Sequence, residues 1–110
     1  MEPVEINNGQ WYLRGLRADD RVDDRPALTD LGEDDLDYVH DAADGWADDT
    51  RYTWAVCEPT SGELLAEVIL DPVTGFLSSR GRPGFEDAAA ISEDTVRRYA
   101  TQVLGLEVHT

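Results

Sequence analysis

The chain has 110 residues, which is the length of a single domain, and 41% of them are hydrophobic, enough to build a core. Its nine basic residues, all of them arginine, stand against 24 acidic ones, so the formal net charge is −15. A surface this negative repels phosphate backbones and anionic lipids, so the composition excludes ordinary nucleic-acid binding and contact with anionic membranes.

The first predicted element is a β-hairpin. Val4 and Ile6 are followed by the apolar run of residues 11–13, and the connecting residues 7–10 contain Asn8 and Gly9. An Asn-Gly pair tolerates the positive φ angles of a type I′ turn, which joins two strands directly. Residues 17–30 follow, charged and without a clear period, and predict a loop or short irregular turns.

A helix is predicted over residues 33–46. Its apolar side chains recur with the spacing of one helical face, namely at Leu36, Val39, Ala43 and Trp46. Acidic residues at 33–35 suit the positive end of a helix dipole, and Gly45 is placed to end the helix.

Two strands are predicted over residues 51–58 and 63–70, joined by a turn in which Gly62 takes a left-handed conformation. One face of the first strand carries Tyr52, Trp54 and Val56. The predicted face of the second carries Leu64, Ala66, Val68 and Leu70.

The last third is predicted to contain a loop over residues 76–90 and a second helix capped by Ser92. Gly105 is placed to end that helix, and residues 106–108 suit a short final strand. These elements predict a single α+β domain over residues 1–110, an antiparallel sheet of two hairpins with two packed helices. A sheet this short leaves edges uncovered, so the sequence also predicts a homodimer.

Several kinds of site find no support in the sequence. Cys57 is the only cysteine and lies in an apolar strand, so it is interpreted as a buried structural residue. Two histidines, His40 and His109, do not make a typical zinc site. We therefore expect no metal, no cofactor and no catalytic side chain. The chain has no apolar membrane segment and no signal peptide, which predicts a cytoplasmic protein.

The candidate ligand-binding residues lie mainly in one stretch. Arg80 and Arg82 are close together in an otherwise acidic chain, beside flexible glycines and the aromatic Phe85. This pattern predicts a site for a peptide, and the alternative is a mobile loop whose arginines meet nearby acids.

Three further residues are candidates for contact with the same ligand. Trp46 and Tyr52 belong to a set of aromatic residues that is large for so small a core, so some are expected at an interface and the others inside. His40 stands among Asp37, Asp41 and Asp44, and its imidazole is the third of these candidates.

Parts of the chain resemble the GCN5-related N-acetyltransferases. TWAVCEPTSGELLAEVILDP looks like the central hairpin of that family, WYLRGLRADD like its first strand, and VRRYATQVLGLEVH like a later helix and strand. The family binds the pyrophosphate of coenzyme A on backbone N–H groups of a glycine-rich loop before a helix. The corresponding stretch here is RGRPGF, in which Pro83 lacks a backbone donor. The resemblance implies a degenerate acetyltransferase-like domain.

In size, lysine-free acidic composition and lack of catalytic residues, the chain is also similar to the small lysinoalanine-forming proteins of cinnamycin- and duramycin-type lanthipeptide pathways. That resemblance implies a homodimer that holds a dehydrated, cyclised peptide while a lysine amine adds to a dehydroalanine, with a base supplied by the peptide. The sequence hypothesis is therefore a peptide-binding tailoring protein. The alternatives are the acetyltransferase-like domain and a non-enzymatic interaction module.

Overall fold

The computed structural model describes residues 1–110 and confirms an α+β fold. All five strands form one antiparallel sheet in the order β1-β2-β3-β4-β5, with two helices inserted between β2 and β3 and a third after β5. The elements are β1 Ile6–Asn7, β2 Tyr12–Arg14, α1 Arg25–Asp30, α2 Tyr38–Asp48, β3 Tyr52–Cys57, β4 Leu64–Leu70, β5 Leu77–Gly81 and α3 Glu86–Gln102. The sheet is therefore larger than two hairpins, and there are three helices rather than two.

The hairpin of β3 and β4 forms the centre of the sheet, as the sequence predicts. In its turn, Gly62 has a φ of 74° and donates its N–H to the carbonyl of Glu58 at 2.8 Å. Every residue of β3 is buried, because α3 and Trp46 of α2 pack on one face of the sheet while α1 and Tyr38 of α2 pack on the other. The predicted face of β4 was wrong at Leu64, because an irregularity between Val56 and Cys57 places Leu64 on the opposite face.

The first hairpin is present, but its turn is not type I′. Gly9 has a φ of 93°, whereas Asn8 keeps a negative φ. Instead, the Asn8 side-chain oxygen accepts the N–H groups of Gln10 and Trp11 at 3.1 and 2.8 Å. The amide side chain, and not a second left-handed residue, reverses the chain.

The predicted helix over 33–46 begins later and ends later in the structure. Leu36, assigned to its buried face, precedes α2 and is 76% exposed. The buried stripe of α2 is Tyr38, Ala42, Gly45 and Trp46, and the helix ends at Asp49, which has a left-handed φ of 56°. Gly45 lies inside the helix. A side chain is excluded there, because a Cβ would come within 2.7 Å of the Arg51 carbonyl oxygen. Its role is close packing, not termination.

Two segments predicted as irregular are regular. Residues 25–30 form α1, with Pro26 in its first turn and Leu28 buried. Residues 76–90 contain β5 and the first turn of α3, so Ser92 is a buried residue inside the helix and not its cap.

The end of the chain returns to the sheet. Gly105 has the expected positive φ, 68°, and the N–H of Leu106 donates to the carbonyl of Ala100 at 3.0 Å. The predicted final strand is reduced to one parallel bridge between Phe76 and His109. None of the helices is long and apolar enough to cross a bilayer.

Candidate functional site

Arg80 lies on β5, on the sheet face that α1 and α2 cover. Its Nε donates to Oε1 of Glu67 at 2.7 Å, and its Nη2 donates to Oε1 of Glu33 at 3.2 Å. Glu67 has no exposed surface, so this guanidinium neutralises a carboxylate that would otherwise be unpaired in the interior.

Arg82 follows the end of the same strand and is also engaged twice. Its Nη1 donates to Glu63 at 2.6 Å and its Nη2 to Asp30 at 2.7 Å. Both arginines of the predicted ligand-binding loop are therefore held by the protein's own carboxylates. The alternative for this stretch was a mobile loop whose arginines meet nearby acids; the acids are present, but Arg80 lies in strand β5.

The structure does not bring the six candidate residues together. Phe85 follows Arg82 and is 40% exposed at the start of α3. Trp46 and Tyr52 instead stack in the core with ring centroids 4.4 Å apart. His40 projects from the outer side of α2, 3.5 Å from Asp44. The contact of each with a ligand stays a prediction.

A buried polar group that the sequence analysis missed lies beside Arg80. Tyr38, at the start of α2, donates its hydroxyl to Oε2 of Glu67 at 2.7 Å. Burial and the adjacent Glu67 carboxylate raise the pKa of Tyr38. Glu67 is the one charged residue inside the otherwise apolar strand β4, and that exception was the available signal.

The loop between β5 and α3 corresponds to the place where the acetyltransferase resemblance implies an anion site. The Phe85 N–H donates to the Arg82 carbonyl at 2.8 Å, and Pro83 has no N–H. The Gly84 N–H points to the carboxylate of Glu86 at 3.4 Å. The donors of this loop are therefore directed at the protein's own oxygen atoms.

The negative charge at the N-terminal end of α3 opposes the binding of an anionic ligand. Glu86 and Asp87 occupy the first turn of α3, where carboxylates interact favourably with the helix dipole. They also place two negative charges where a bound phosphate would lie. The arrangement suits a helix stabilised by its own acids more than one that receives pyrophosphate.

The surface has two open grooves, both beside the β3–β4 turn. One, of about 490 Å³, runs between α1 and the turn and contains Arg21, Asp30, Glu63 and Arg82. The other, of about 450 Å³, lies against β2 and includes Tyr12. No group of three or more histidine, cysteine or acidic side chains is arranged to hold a metal ion.

Comparison with known proteins identifies the fold. No family model matches the chain, and no curated protein matches it. A structure from Vibrio cholerae described as a ribosomal-protein-serine acetyltransferase matches with a TM-score of 0.69 and 15% identity, over 96% of this chain and 72% of that one. An acetyltransferase from Agrobacterium tumefaciens matches with a TM-score of 0.65 and 18% identity, over 96% and 71%.

These likenesses show that the chain shares the fold of the two acetyltransferases. The matched structures contain further chain that has no counterpart in these 110 residues. No match supports the resemblance to lysinoalanine-forming proteins.

Proposed function

We propose that this chain is an acetyltransferase-fold domain that binds an amine-bearing peptide and does not use acetyl-CoA. The observation that carries the proposal is the start of α3, where the carboxylate of Glu86 meets the Gly84 N–H and Asp87 adds a second negative charge. Coenzyme A is polyanionic, so it would have to displace one carboxylate and approach another.

The charge of the molecule favours a cationic partner. Along the outer side of α2, carboxylates recur at the helical spacing at Asp37, Asp41, Asp44 and Asp48, and no arginine pairs with them. With a net charge of −15, the surface potential steers ammonium groups toward the protein and slows the approach of anions. A lysine side chain or a peptide amino terminus carries the required charge.

Titration calorimetry with acetyl-CoA tests the first half of the proposal. We expect no saturable heat with the wild-type protein. A variant with both Glu86→Gln and Asp87→Asn should bind acetyl-CoA more tightly than the wild type does. A matched control is the variant with Glu93→Gln and Asp94→Asn, which removes the same charge from the middle of α3. Micromolar binding of acetyl-CoA by the wild-type chain, with acetyl transfer to an amine, would establish the acetyltransferase alternative instead.

The bound peptide is proposed to contact the loop after β5. Phe85 offers an exposed apolar ring there. Phe85→Ala should weaken peptide binding by roughly 1–3 kcal/mol, the range for an interface anchor. The melting temperature should change little, because the ring is 40% exposed.

A narrower version of the proposal is lysinoalanine formation. It rests on the similarity of the chain to lysinoalanine-forming proteins in size and composition. The lysine Nε would add to Cβ of a dehydroalanine while a proton reaches Cα, so the mass of the peptide would not change. The test is incubation with a dehydrated, cyclised precursor peptide, followed by thiol trapping of any remaining dehydroalanine. Full thiol trapping at the same rate with and without the protein would contradict this version while leaving peptide binding open.

We propose that the domain acts as a homodimer. The sheet ends at β5, whose outer edge is paired only near its start, where the Leu77 N–H donates to His109 at 2.8 Å. Phe76, 47% exposed, lies beside that edge. Light scattering should give twice the chain mass, and a mass near 12.2 kDa at micromolar concentration would contradict the dimer.

A further inference from the structure

The C-terminal end of α2 combines three sources of negative charge. Asp48 is the last residue of the helix, Asp49 follows it, and no basic residue occupies the last turn. The carbonyl groups at a helix C-terminus carry the negative pole of the helix dipole, so carboxylates there are unfavourable unless a cation lies beside them. A positively charged group is therefore stabilised at this helix end.

A cation occupies this position in the structure. The α-ammonium group of Met1 donates to the carbonyl oxygen of Trp46 at 2.7 Å and to Oδ1 of Asp49 at 2.9 Å. It is the only primary amine of these 110 residues, because the sequence contains no lysine. The end of α2 thus holds an ammonium group between one carbonyl and one carboxylate.

The backbone conformation of Asp49 is what places its carboxylate there. Asp49 has a φ of 56°, and every other residue with a left-handed φ is a glycine. Glycine is also the usual residue at the left-handed position that ends a helix. A glycine would bring no carboxylate, so the sequence keeps an ammonium ligand where the backbone alone favours glycine. Backbone strain of this kind is concentrated at functional sites.

Two aromatic residues hold both oxygen ligands in place. The Tyr52 hydroxyl donates to Oδ1 of Asp49 at 2.7 Å, and the Tyr52 ring stacks on Trp46 with centroids 4.4 Å apart. The indole N–H of Trp46 donates to the Thr53 carbonyl at 3.0 Å. Because both aromatic rings are buried, the carbonyl and the carboxylate are already ordered before an ammonium group binds.

The residue that fills the position lies on the surface. Met1 is 38% exposed, and the side chain of Asp49 is 58% exposed. Residues 1–3 are all exposed, whereas Val4 is fixed by a 2.7 Å hydrogen bond from the Trp54 indole to its carbonyl. Met1 can therefore leave without disturbing the core, and the space that it leaves is open to solvent.

We propose that the C-terminal end of α2 binds a primary ammonium group of the peptide, and that the chain's own amino terminus competes for the same position. The three N–H donors of a primary ammonium group match the Trp46 carbonyl and the Asp49 carboxylate. The inference rests on the proposed function, because it assigns the place where the amine of the bound peptide is held.

The ammonium subsite and the loop with Phe85 contact different residues of that peptide. The strand register aligns the start of β3, which follows this helix end, with the start of β5. Phe85 follows the other end of β5. The two contacts therefore lie at opposite ends of the sheet and can be tested separately.

Because the chain has no lysine, the competing amine can be removed chemically. Acetic anhydride converts the Met1 amine into a neutral amide, and mass spectrometry verifies that one acetyl group is present. One probe is lysine with an Nα-acetyl group and a C-terminal amide, which carries a side-chain ammonium group. The other is the tripeptide amide Met-Glu-Pro, which carries a terminal one. The N-acetylated tripeptide amide is the control without an ammonium group.

Binding is measured from the backbone amide NMR resonances of Asp49 and Thr50 at constant ionic strength. We expect at least one ammonium probe to give a saturable shift, with an affinity about tenfold higher for the acetylated protein, since acetylation removes the competitor. Asp49→Asn keeps a residue that tolerates the left-handed backbone and should weaken binding, followed at Thr50, by about tenfold or more. Asp20→Asn removes the same charge from an exposed loop and is the matched control, which should bind as wild type does.

A titration without a saturable shift for either ammonium probe would overturn the inference, and the acetylated wild-type protein decides this even if Asp49→Asn fails to fold. An equal shift with the N-acetylated tripeptide would also overturn it, because the ammonium group would then not be what is recognised. The proposed function can fail or stand independently. A longer amine-bearing peptide whose binding is weakened by Phe85→Ala, but which leaves the Thr50 resonance unchanged, would contradict only the subsite on α2.

Discussion

The hydroxyl of Tyr38 donates a 2.7 Å hydrogen bond to Oε2 of Glu67, a carboxylate with no exposed surface. This bond connects the start of α2 to strand β4. The second oxygen of Glu67 is bound by Arg80 at 2.7 Å, so both oxygens of the buried carboxylate are satisfied. A buried charge is tolerated only when it is paired and hydrogen-bonded in this way.

Tyr38→Phe should destabilise the protein by about 1–3 kcal/mol, because it removes one partner of the buried carboxylate and keeps the ring. Urea denaturation measures the change. The matched control is Tyr99→Phe, since the Tyr99 hydroxyl makes no hydrogen bond to a side chain and its ring packs on Trp54. Equal losses in the two variants would show that the bond to Glu67 contributes nothing specific.

Asp24→Asn should destabilise the protein by about 3–5 kcal/mol, the cost of breaking a buried ion pair. The Asp24 carboxylate binds Arg14 at two points, 2.8 and 2.9 Å, and both residues are buried. Asp23→Asn is the control, because the adjacent pair of Asp23 with Arg25 is exposed to water and should contribute little. Chemical denaturation of both variants makes the comparison, and similar stabilities would contradict the burial argument.

The apolar parts of the fold could be predicted from the sequence, because a run of apolar side chains indicates directly which residues are buried. The hairpin of β3 and β4 was recognised from its apolar run and from Gly62. Strand β5 was missed because it reads as a polar loop, LSSRG, and only the structure shows that Arg80 compensates Glu67. A single sequence does not reveal a partner 13 residues away on the next strand.

The candidate site was harder to predict for a related reason. Arg80 and Arg82 stood out by local charge, yet their partners Glu33 and Asp30 come from helices and turns about 50 residues earlier in the chain. Conversely, the sequence does not distinguish Arg51 from the other arginines, because its lack of a hydrogen-bond partner at Nε and Nη2 is visible only in three dimensions. Local composition shows where charges are, and the fold determines which of them are neutralised.

Cys57 should make stability fall between about pH 9 and pH 11. Burial raises the pKa of its thiol to about 11 from an ordinary value of 9.0. Above pH 9 the unfolded chain therefore loses this proton while the folded chain keeps it, which favours unfolding as the pH rises. Cys57→Ala should lose about 1 kcal/mol at neutral pH and show a shallower decline above pH 9.

Chemical denaturation of wild type and Cys57→Ala at a series of pH values isolates this effect, because the raised tyrosine pKa values are common to both proteins. Parallel declines in the two would contradict a buried thiol. Rapid reaction of the native protein with a thiol reagent at neutral pH would contradict it independently.

Gly75→Ala should disrupt the docking of the C-terminal segment and destabilise the protein strongly. Gly75 has a φ of 80°, and a Cβ there would meet the carbonyl oxygen of Glu107 at 2.0 Å, which flexible side chains cannot relieve because the atom belongs to the backbone. The Gly75 carbonyl accepts the His109 N–H at 3.0 Å, so displacement of Glu107 also breaks this hydrogen bond between the chain end and the turn before β5.

Gly9→Ala is the matched control, since Gly9 has a similar φ of 93° but nothing within 4 Å of the added carbon. Its cost should be only the strain of a left-handed alanine, about 1 kcal/mol. Thermal unfolding of both variants separates the steric contribution from the conformational one, and equal melting temperatures would mean that residues 107–109 do not pack against this turn in solution.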